Sequence, residues 1–370
     1  MSEPVVLRPK RPGRRRGEFA HAASADWAEG SLLVFGKNYV SQMINRSAEN
    51  ESDRRRFLRS AGLTGLGVVG TGALGSLAAT PAAAATSRSA EAAEAAATAE
   101  QVSDAAVLNF ALNLEYLEAQ FYAYAVSGRG IPDSLTDGTG NRGSVSGGRK
   151  VRFRSRRVRQ YAEEIASDER QHVEFLRSAL GSVAVSQPAI DLQGSFTAAA
   201  QAAGLVRPGH TFDAFASEEN FLLAAFLFED VGVTAYKGAA PLINNKTYLE
   251  AAAGILAVEA YHAGNIRSAI YEQPNGLFGT GLLGGRDLKQ ASVKLSNARD
   301  SLDGTTDLDQ GVIDQRHHAN IVPTDGNGIA FSRSTGQVLN IVYLTNKQAT
   351  SGGFFPRGVN GDINASADNA

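Results

Sequence analysis

Two Glu-x-x-His sequences constrain the fold of this chain more than any other feature. Glu169 and His172 form the first pair, and Glu259 and His262 form the second. Both pairs lie in segments that we predict to be helical, and positions three apart on a helix share a face. Each helix would therefore present one carboxylate and one imidazole to the same point. Two such helices predict a bundle with acidic and imidazole side chains in its interior.

Four long helices are predicted to build this bundle. Ser103 can cap the first helix, and Gly128 ends it just after Val126. The remaining helices are expected at about Arg156 to Leu180, Phe215 to Lys237 and Lys246 to Tyr271.

The connections between these helices predict their order in space. Only Gly238 to Asn245 separates the last two helices, so they should form an antiparallel hairpin. Over thirty residues join the second helix to the third and include a short helical stretch near Phe196 to Ala203. A connection of that length can run the whole bundle, so the third helix can return parallel to the second.

The first and third predicted helices lack histidine but share a glutamate–tyrosine spacing. Glu115 precedes Tyr122 by seven residues, and Glu229 precedes Tyr236 by the same interval. Seven residues are close to two helical turns, so glutamate and tyrosine line one side of each helix. The chain thus reads as a two-fold repeat of Glu followed by Glu-x-x-His. Glu118 is an alternative to Glu115, one turn along the same face, and the match to Glu229 favours Glu115.

Three stretches of the chain resemble exported ferritin-like proteins, some of which are described as desiccation-related. They are NFALNLEYLE from Asn109, YAEEIASDERQH from Tyr161 and FEDVGVTAY from Phe228. The resemblance covers roughly residues 103–271, and two shorter segments at 319–324 and 352–356 resemble the tail of the same family. It implies an all-α, ferritin-like four-helix bundle with one long crossover, followed by an irregular, glycine-rich C-terminal tail.

The resemblance also implies a dinuclear metal site. Ferritin-like carboxylate proteins take one Glu from each of two helices and Glu-x-x-His from each of the other two. The implied ligands here are Glu115, Glu169, His172, Glu229, Glu259 and His262. They would hold two metal ions, iron or manganese, since both metals accept this ligand set.

The chemistry of these residue types agrees with such a site. Buried glutamates in an apolar bundle are costly unless a cation pairs with them, and two divalent ions supply that charge. Six protein ligands leave open positions for oxygen, peroxide or water. The chain has no cysteine, which excludes a zinc–thiolate site, an iron–sulfur cluster and a cysteine nucleophile.

The amino-terminal segment is predicted to be an export signal. Arg54-Arg55-Arg56-Phe57-Leu58 precedes a weakly apolar, glycine-rich run from Ala61 to Ala79 and then small residues around Ala84. This order is typical of a cleavable signal, and the Arg-Arg-x-Phe-Leu core resembles a twin-arginine signal. We therefore expect a partner in the twin-arginine export machinery, and a location in the periplasm, cell envelope or extracellular space.

These patterns divide the chain into five parts. Residues 1–42 are a non-native extension if translation starts at Met43, or a disordered basic arm if it does not. The remaining parts are the signal peptide at 43–85, a linker at 86–102, the bundle at 103–271 and a tail at 272–370 that we expect to wrap the bundle. In the tail, Asp287 to Leu302 is expected to form a helix, and Ser334-x-x-Gln337 to open another by a capping box.

Two hypotheses for the function remain open at this stage. One is redox chemistry of iron, oxygen or peroxide during oxidative or desiccation stress, as a ferroxidase, peroxidase or catalase. The other is non-catalytic protection or structure in the cell envelope. Mineral storage is a third reading, which the long loop and tail disfavour, and assembly into a homo-oligomer stays open. Residues 85–370 carry a net formal charge of −7, which argues against nucleic acid as a partner.

Overall fold

The computed structural model describes residues 102–273 and 287–370 of the chain. The extension predicted at 1–42, the signal peptide at 43–85 and the linker up to residue 101 lie outside the described residues. None of the helices in the described ranges combines the length and the apolar character that crossing a bilayer requires.

Helices dominate the described part of the chain. In chain order they are α1 (Asp104–Ser127), α2 (Arg156–Leu180), α3 (Gly194–Ala202), α4 (Glu218–Ala239), α5 (Lys246–Glu272), α6 (Leu288–Asp303) and α7 (Thr335–Tyr343). The predicted all-α class is confirmed. Two short strands, β1 (Val145–Ser146) and β2 (Ile190–Asp191), pair in parallel. Their pairing joins the loop after α1 to the long connection between α2 and α4.

Polar side chains cap the long helices and fix where they begin. Ser103 and Ser155 each accept a backbone N–H bond at the start of α1 and α2. Ser217 caps α4, so this helix begins three residues later than the predicted Phe215. Two glutamates in its first turn are favourable there because the helix dipole is positive at this end. Ser334 opens α7 with the predicted capping box.

The four long helices pack as two antiparallel pairs. α1 lies along α2 and α4 lies along α5, and contacts between α1 and α4 and between α2 and α5 join the pairs. The crossover from α2 to α4 includes α3, whose Phe196 packs against Phe121 and Phe228 of the bundle. Phe354 of the tail packs on the same aromatic cluster, with its ring centroid 5.0 Å from those of Phe196 and Phe228. Crossover and tail thus share one core with the bundle.

Buried ion pairs join the tail to α4 and α5. Arg267 of α5 and Arg299 of α6 both donate to Oδ2 of Asp230, at 2.7 and 3.0 Å. Arg333 donates to Asp303 at 2.7 Å and also pairs with Asp309. All three arginines are at most 2% exposed. Because buried charges need partners, these pairs help to hold the tail in its position against the bundle.

Candidate metal centre

The bundle brings together the six side chains that the sequence singled out. Glu115 comes from α1, the first Glu-x-x-His pair from α2, Glu229 from α4 and the second pair from α5. The four glutamates are at most 1% exposed, and His172 and His262 are 7% and 3% exposed. They converge because each lies on the inner face of its helix, and the four inner faces meet at mid-height of the bundle.

The six residues form two overlapping groups, each compact enough to hold one ion. The first group is Glu115, Glu169, His172 and Glu259, and the second is Glu169, Glu229, Glu259 and His262. Within each group the candidate ligand atoms lie within 4.8 Å of one another. Glu169 and Glu259 belong to both groups, so they are the candidates for bridging two ions. Each ion would have one further glutamate and one histidine of its own.

Distances within the cluster show how closely the carboxylates approach the imidazoles. Nδ1 of His262 lies 3.1 Å from Oε1 of Glu169 and 3.5 Å from Oε2 of Glu229. Nδ1 of His172 lies 3.2 Å from Oε2 of Glu115 and 3.7 Å from Oε1 of Glu259. The two imidazole rings are 6.3 Å apart between centroids.

Polar atoms without hydrogen bonds test whether a metal fits this cluster. Among the described residues, both carboxylate oxygens of Glu169 and of Glu259 are buried without a hydrogen-bond partner. Oε2 of Glu229 and Nδ1 of His262 are also buried without a hydrogen-bond partner. Leaving buried polar groups unpaired is costly, and oxygen and imidazole nitrogen are ligands that iron and manganese accept. The donor set therefore fits two such ions.

Two tyrosines hold the carboxylates that belong to one group only. The hydroxyl of Tyr122 donates to Oε1 of Glu229, and the hydroxyl of Tyr236 donates to Oε1 of Glu115. Each bond runs between α1 and α4, so the tyrosine serves the glutamate of the other helix. Burial and the adjacent carboxylates raise the pKa of both phenols well above the usual range, which keeps them protonated donors.

Asp168 is a contact that the sequence reading did not identify. Its Oδ2 lies 3.1 Å from Nε2 of His262, on the adjacent helix. The bond leaves Nδ1 of this imidazole facing Glu169 and Glu229, ready for a metal. An acidic residue directly before Glu-x-x-His was the available signal, but Val258 occupies the same place in the second motif, so the repeat gave no hint of it.

Burial and mutual repulsion govern the protonation of the metal-free cluster. Burial raises the pKa of Glu115 to about 7, and raises those of Glu229 and Glu259 as well. Burial acts in the same direction on Glu169, but the two histidines outweigh it and its net pKa is lowered. Burial lowers the pKa of His172, yet Glu115 and Glu169 raise it to about 10. Without metal, the imidazoles therefore hold protons that partly balance the carboxylates.

Glu118, the alternative to Glu115, belongs to neither of the two groups. It is 7% exposed and lies beside the cluster. A Cβ atom placed on Gly232 of α4 would lie 2.4 Å from Oε2 of Glu259 and 3.6 Å from Oε1 of Glu118. Glycine at 232 therefore lets the carboxylates approach the helix backbone. Whether the six residues of the two groups bind metal stays a prediction.

Comparison with known proteins finds one matching family profile and related sequences. The family profile described as "Ferritin-like domain" matches residues 103–272. A desiccation-related protein of Craterostigma plantagineum is 29% identical over 273 residues, which cover 70% of this chain and 83% of that protein. A ferritin-like catalase of Nesocodon mauritianus is 25% identical over 272 residues, which cover 70% and 85%.

No solved structure matches the chain significantly. Both alignments are longer than the domain match, so they also include residues outside it. Residues 103–272 thus match the ferritin-like domain, and the chain is a homologue of proteins described as desiccation-related and as ferritin-like catalase.

Proposed function

We propose that the bundle binds two ions of iron or manganese at the six clustered side chains and uses them to consume hydrogen peroxide. The unpaired buried atoms of Glu169, Glu229, Glu259 and His262 are the observation on which the proposal rests. A folded chain tolerates such atoms poorly unless a cation takes the place of the missing donors. The similarity to a ferritin-like catalase supports peroxide as the substrate.

The proposed reaction is disproportionation, in which two molecules of hydrogen peroxide give two of water and one of oxygen. One peroxide is reduced and the other is oxidised, so no external reductant is required. The bound metals would supply the two-electron redox change. Carboxylates shared between two ions tolerate such a change in charge, and the phenols of Tyr122 and Tyr236 keep Glu229 and Glu115 in place.

A small cavity lies beside the cluster. It is lined by Glu115, Glu118 and Tyr236 together with apolar residues of α1, α4 and α7. Its volume of about 20 Å³ accommodates a water-sized molecule. Such a cavity suits molecules as small as peroxide and oxygen.

Oxygen release from the metal-loaded protein tests this proposal. The chain is loaded anaerobically with Fe²⁺ or Mn²⁺, freed of excess metal, mixed with hydrogen peroxide and followed with an oxygen electrode. We expect oxygen from the loaded protein and none from a Glu169→Gln, His262→Ala double variant. Oxygen consumption on adding Fe²⁺ in air, without peroxide turnover, would instead identify ferrous oxidation as the activity.

Non-catalytic protection is the second candidate, and the similarity to a desiccation-related protein favours it. In that case the loaded protein binds two ions but neither releases nor consumes oxygen. A chain that retains no more than trace metal after anaerobic loading would contradict the dinuclear centre itself.

We also propose that the chain is exported by the twin-arginine route. The basic, apolar and small-residue order at 43–85 supports this proposal. Fusing residues 43–85 to a reporter that folds before export should carry the reporter out of the cytoplasm. Replacing Arg54 and Arg55 with lysine should retain it inside, whereas replacing Arg59 with lysine serves as the matched control.

A further inference from the structure

Glu118 is a carboxylate next to the candidate metal centre that the two metal-binding groups do not use. It lies one turn after Glu115 on α1, and its side chain is buried, with 7% exposure. Its electrostatic neighbours are the carboxylates of Glu169, Glu229 and Glu115 and the imidazole of His262. Burial and these carboxylates raise the pKa of Glu118 well above its ordinary value, so a cation beside it would favour its ionised form.

The position of Glu118 is between the cavity and the centre. It lines the cavity together with Glu115, and its Oε1 approaches Gly232 from the same side as Oε2 of Glu259. Glu259 is one of the two residues shared by both groups. A cation held by Glu118 would therefore lie close to Glu259, a candidate ligand of both metal positions.

Among the carboxylates, exposure decreases from Glu118 toward the centre, whereas the imidazole of His172 is as exposed as Glu118, at 7%. Glu118 is 7% exposed, Glu115 is 1% exposed, and Glu169, Glu229 and Glu259 are not exposed at all. Apart from Tyr236 the other cavity walls are mostly apolar, and they include Ile341 and Val342 of the tail helix α7. A divalent cation entering such a cavity loses hydration, so it needs a carboxylate at the first point where water is lost.

The geometry points to Glu118 as an uptake ligand, which receives a divalent cation in the cavity and passes it to Glu115 and Glu259. The inference rests on the proposed dinuclear centre and adds the route by which the centre is filled. The transfer exchanges one carboxylate for another and involves no redox change. Glu118 is thus required for the rate of loading and not for the number of ions finally held.

A cobalt uptake experiment measures the rate of loading separately from the final number of ions. Metal-free protein is mixed with Co²⁺ in a stopped-flow instrument, and the visible absorption of bound cobalt gives the rate. Elemental analysis after gel filtration gives the final number of ions per chain. We expect Glu118→Gln to slow uptake about tenfold or more with the final number unchanged, an effect equivalent to one lost carboxylate contact at the barrier.

Two further variants sharpen the test. Glu118→Asp keeps the charge and should restore most of the rate, which a merely structural role of the side-chain length would not allow. Glu164→Gln removes an exposed glutamate of α2 and should load like the unmodified chain. Thermal unfolding of each metal-free variant establishes that the fold is retained.

Three results would overturn the inference. Equal uptake rates in the Glu118→Gln and unmodified chains would exclude the uptake role. A final cobalt count that falls in Glu118→Gln would make Glu118 a permanent ligand instead. Failure of the unmodified chain to take up cobalt would refute the dinuclear centre, and is thereby distinguished from failure of the uptake role alone.

Discussion

Nε2 of His262 lies 3.1 Å from Oδ2 of Asp168, and Nδ1 of the same ring faces Glu169 and Glu229. Asp168 thus orients the imidazole, while Glu169 and Glu229 lie on the side of the ring where a metal would bind. His172 has no matching arrangement within residues 102–273 and 287–370, because the carboxylates of these ranges that lie within 4 Å of it all face its Nδ1. The two candidate metal positions are therefore chemically unequal, although the sequence motifs that form them are alike.

Removing Asp168 should weaken one metal position more than the other. We expect Asp168→Ala to lower the affinity for one of the two ions by about 10–100-fold, because His262 loses the group that sets its ring orientation and basicity. Titration against a chelator measures the two affinities. Val258→Ala is the matched control, since Val258 precedes Glu259 as Asp168 precedes Glu169. Equal weakening of both ions, or of neither, would contradict the assigned asymmetry.

The shared and unshared glutamates should differ in how many ions they retain. Glu169 belongs to both groups of ligands, whereas Glu229 belongs to one. We expect Glu169→Gln to lose both ions and Glu229→Gln to keep about one, because a bridging carboxylate contributes to both positions. Elemental analysis after gel filtration gives the ions per chain. A loss of only one ion in Glu169→Gln would show that this residue does not bridge.

Metal affinity should rise with pH. Glu115 and Glu169 raise the pKa of His172 to about 10 against the effect of burial, so the metal-free imidazole is protonated at neutral pH. A metal can bind its nitrogen only after that proton leaves, so binding releases protons and is favoured as the pH increases. We expect about a tenfold gain in affinity per pH unit for each proton released between pH 6 and 8.

Competition with a chelator of known proton affinity measures this dependence. Calorimetry in two buffers with different ionisation enthalpies counts the released protons independently. A dissociation constant that does not change between pH 6 and 8 would refute a protonated metal-free cluster.

Arg333 should be necessary for the stability of the fold. It is 1% exposed, donates to Asp303 and Thr234, and pairs with Asp309. We expect Arg333→Met to lower the free energy of unfolding by about 3–5 kcal/mol, because it leaves buried carboxylates without their counter-charge. Urea unfolding of the metal-free protein measures the loss. Arg316→Met is the exposed control, and a loss below about 1 kcal/mol in Arg333→Met would contradict the role of this network.

Several features of the fold followed from local sequence alone. The second helix occupies the predicted Arg156 to Leu180, and α7 has the predicted capping box. Such features depend on residues within a few positions of each other, so caps, terminating glycines and helical spacing are sufficient to predict them. The candidate ligands were also visible locally, since Glu-x-x-His places its two side chains on one face of a single helix.

Contacts between helices could not be derived in the same way. The glutamate–tyrosine spacing predicted only that Glu115 and Tyr122 lie on one side of their helix. It did not predict that Tyr122 bonds to Glu229 and Tyr236 to Glu115. Seven residues separate the two side chains along a helix by about 10 Å, too far for a hydrogen bond, so the partner must come from another helix. Which helix supplies it depends on how α1 and α4 are rotated and offset in the packed bundle.

The amino-acid sequence by itself determined the helices, their caps and the set of acidic and imidazole side chains on their inner faces. Only the tertiary structure decided that Glu169 and Glu259 are shared, that Asp168 orients His262, and that arginines from α5 and the tail neutralise the aspartates around Asp230 and Asp309. The physical reason is the separation along the chain of the residues that interact. Helix formation is governed by neighbours in the chain, whereas these pairings join residues from 10 to 94 positions apart, whose distances exist only once the helices have packed.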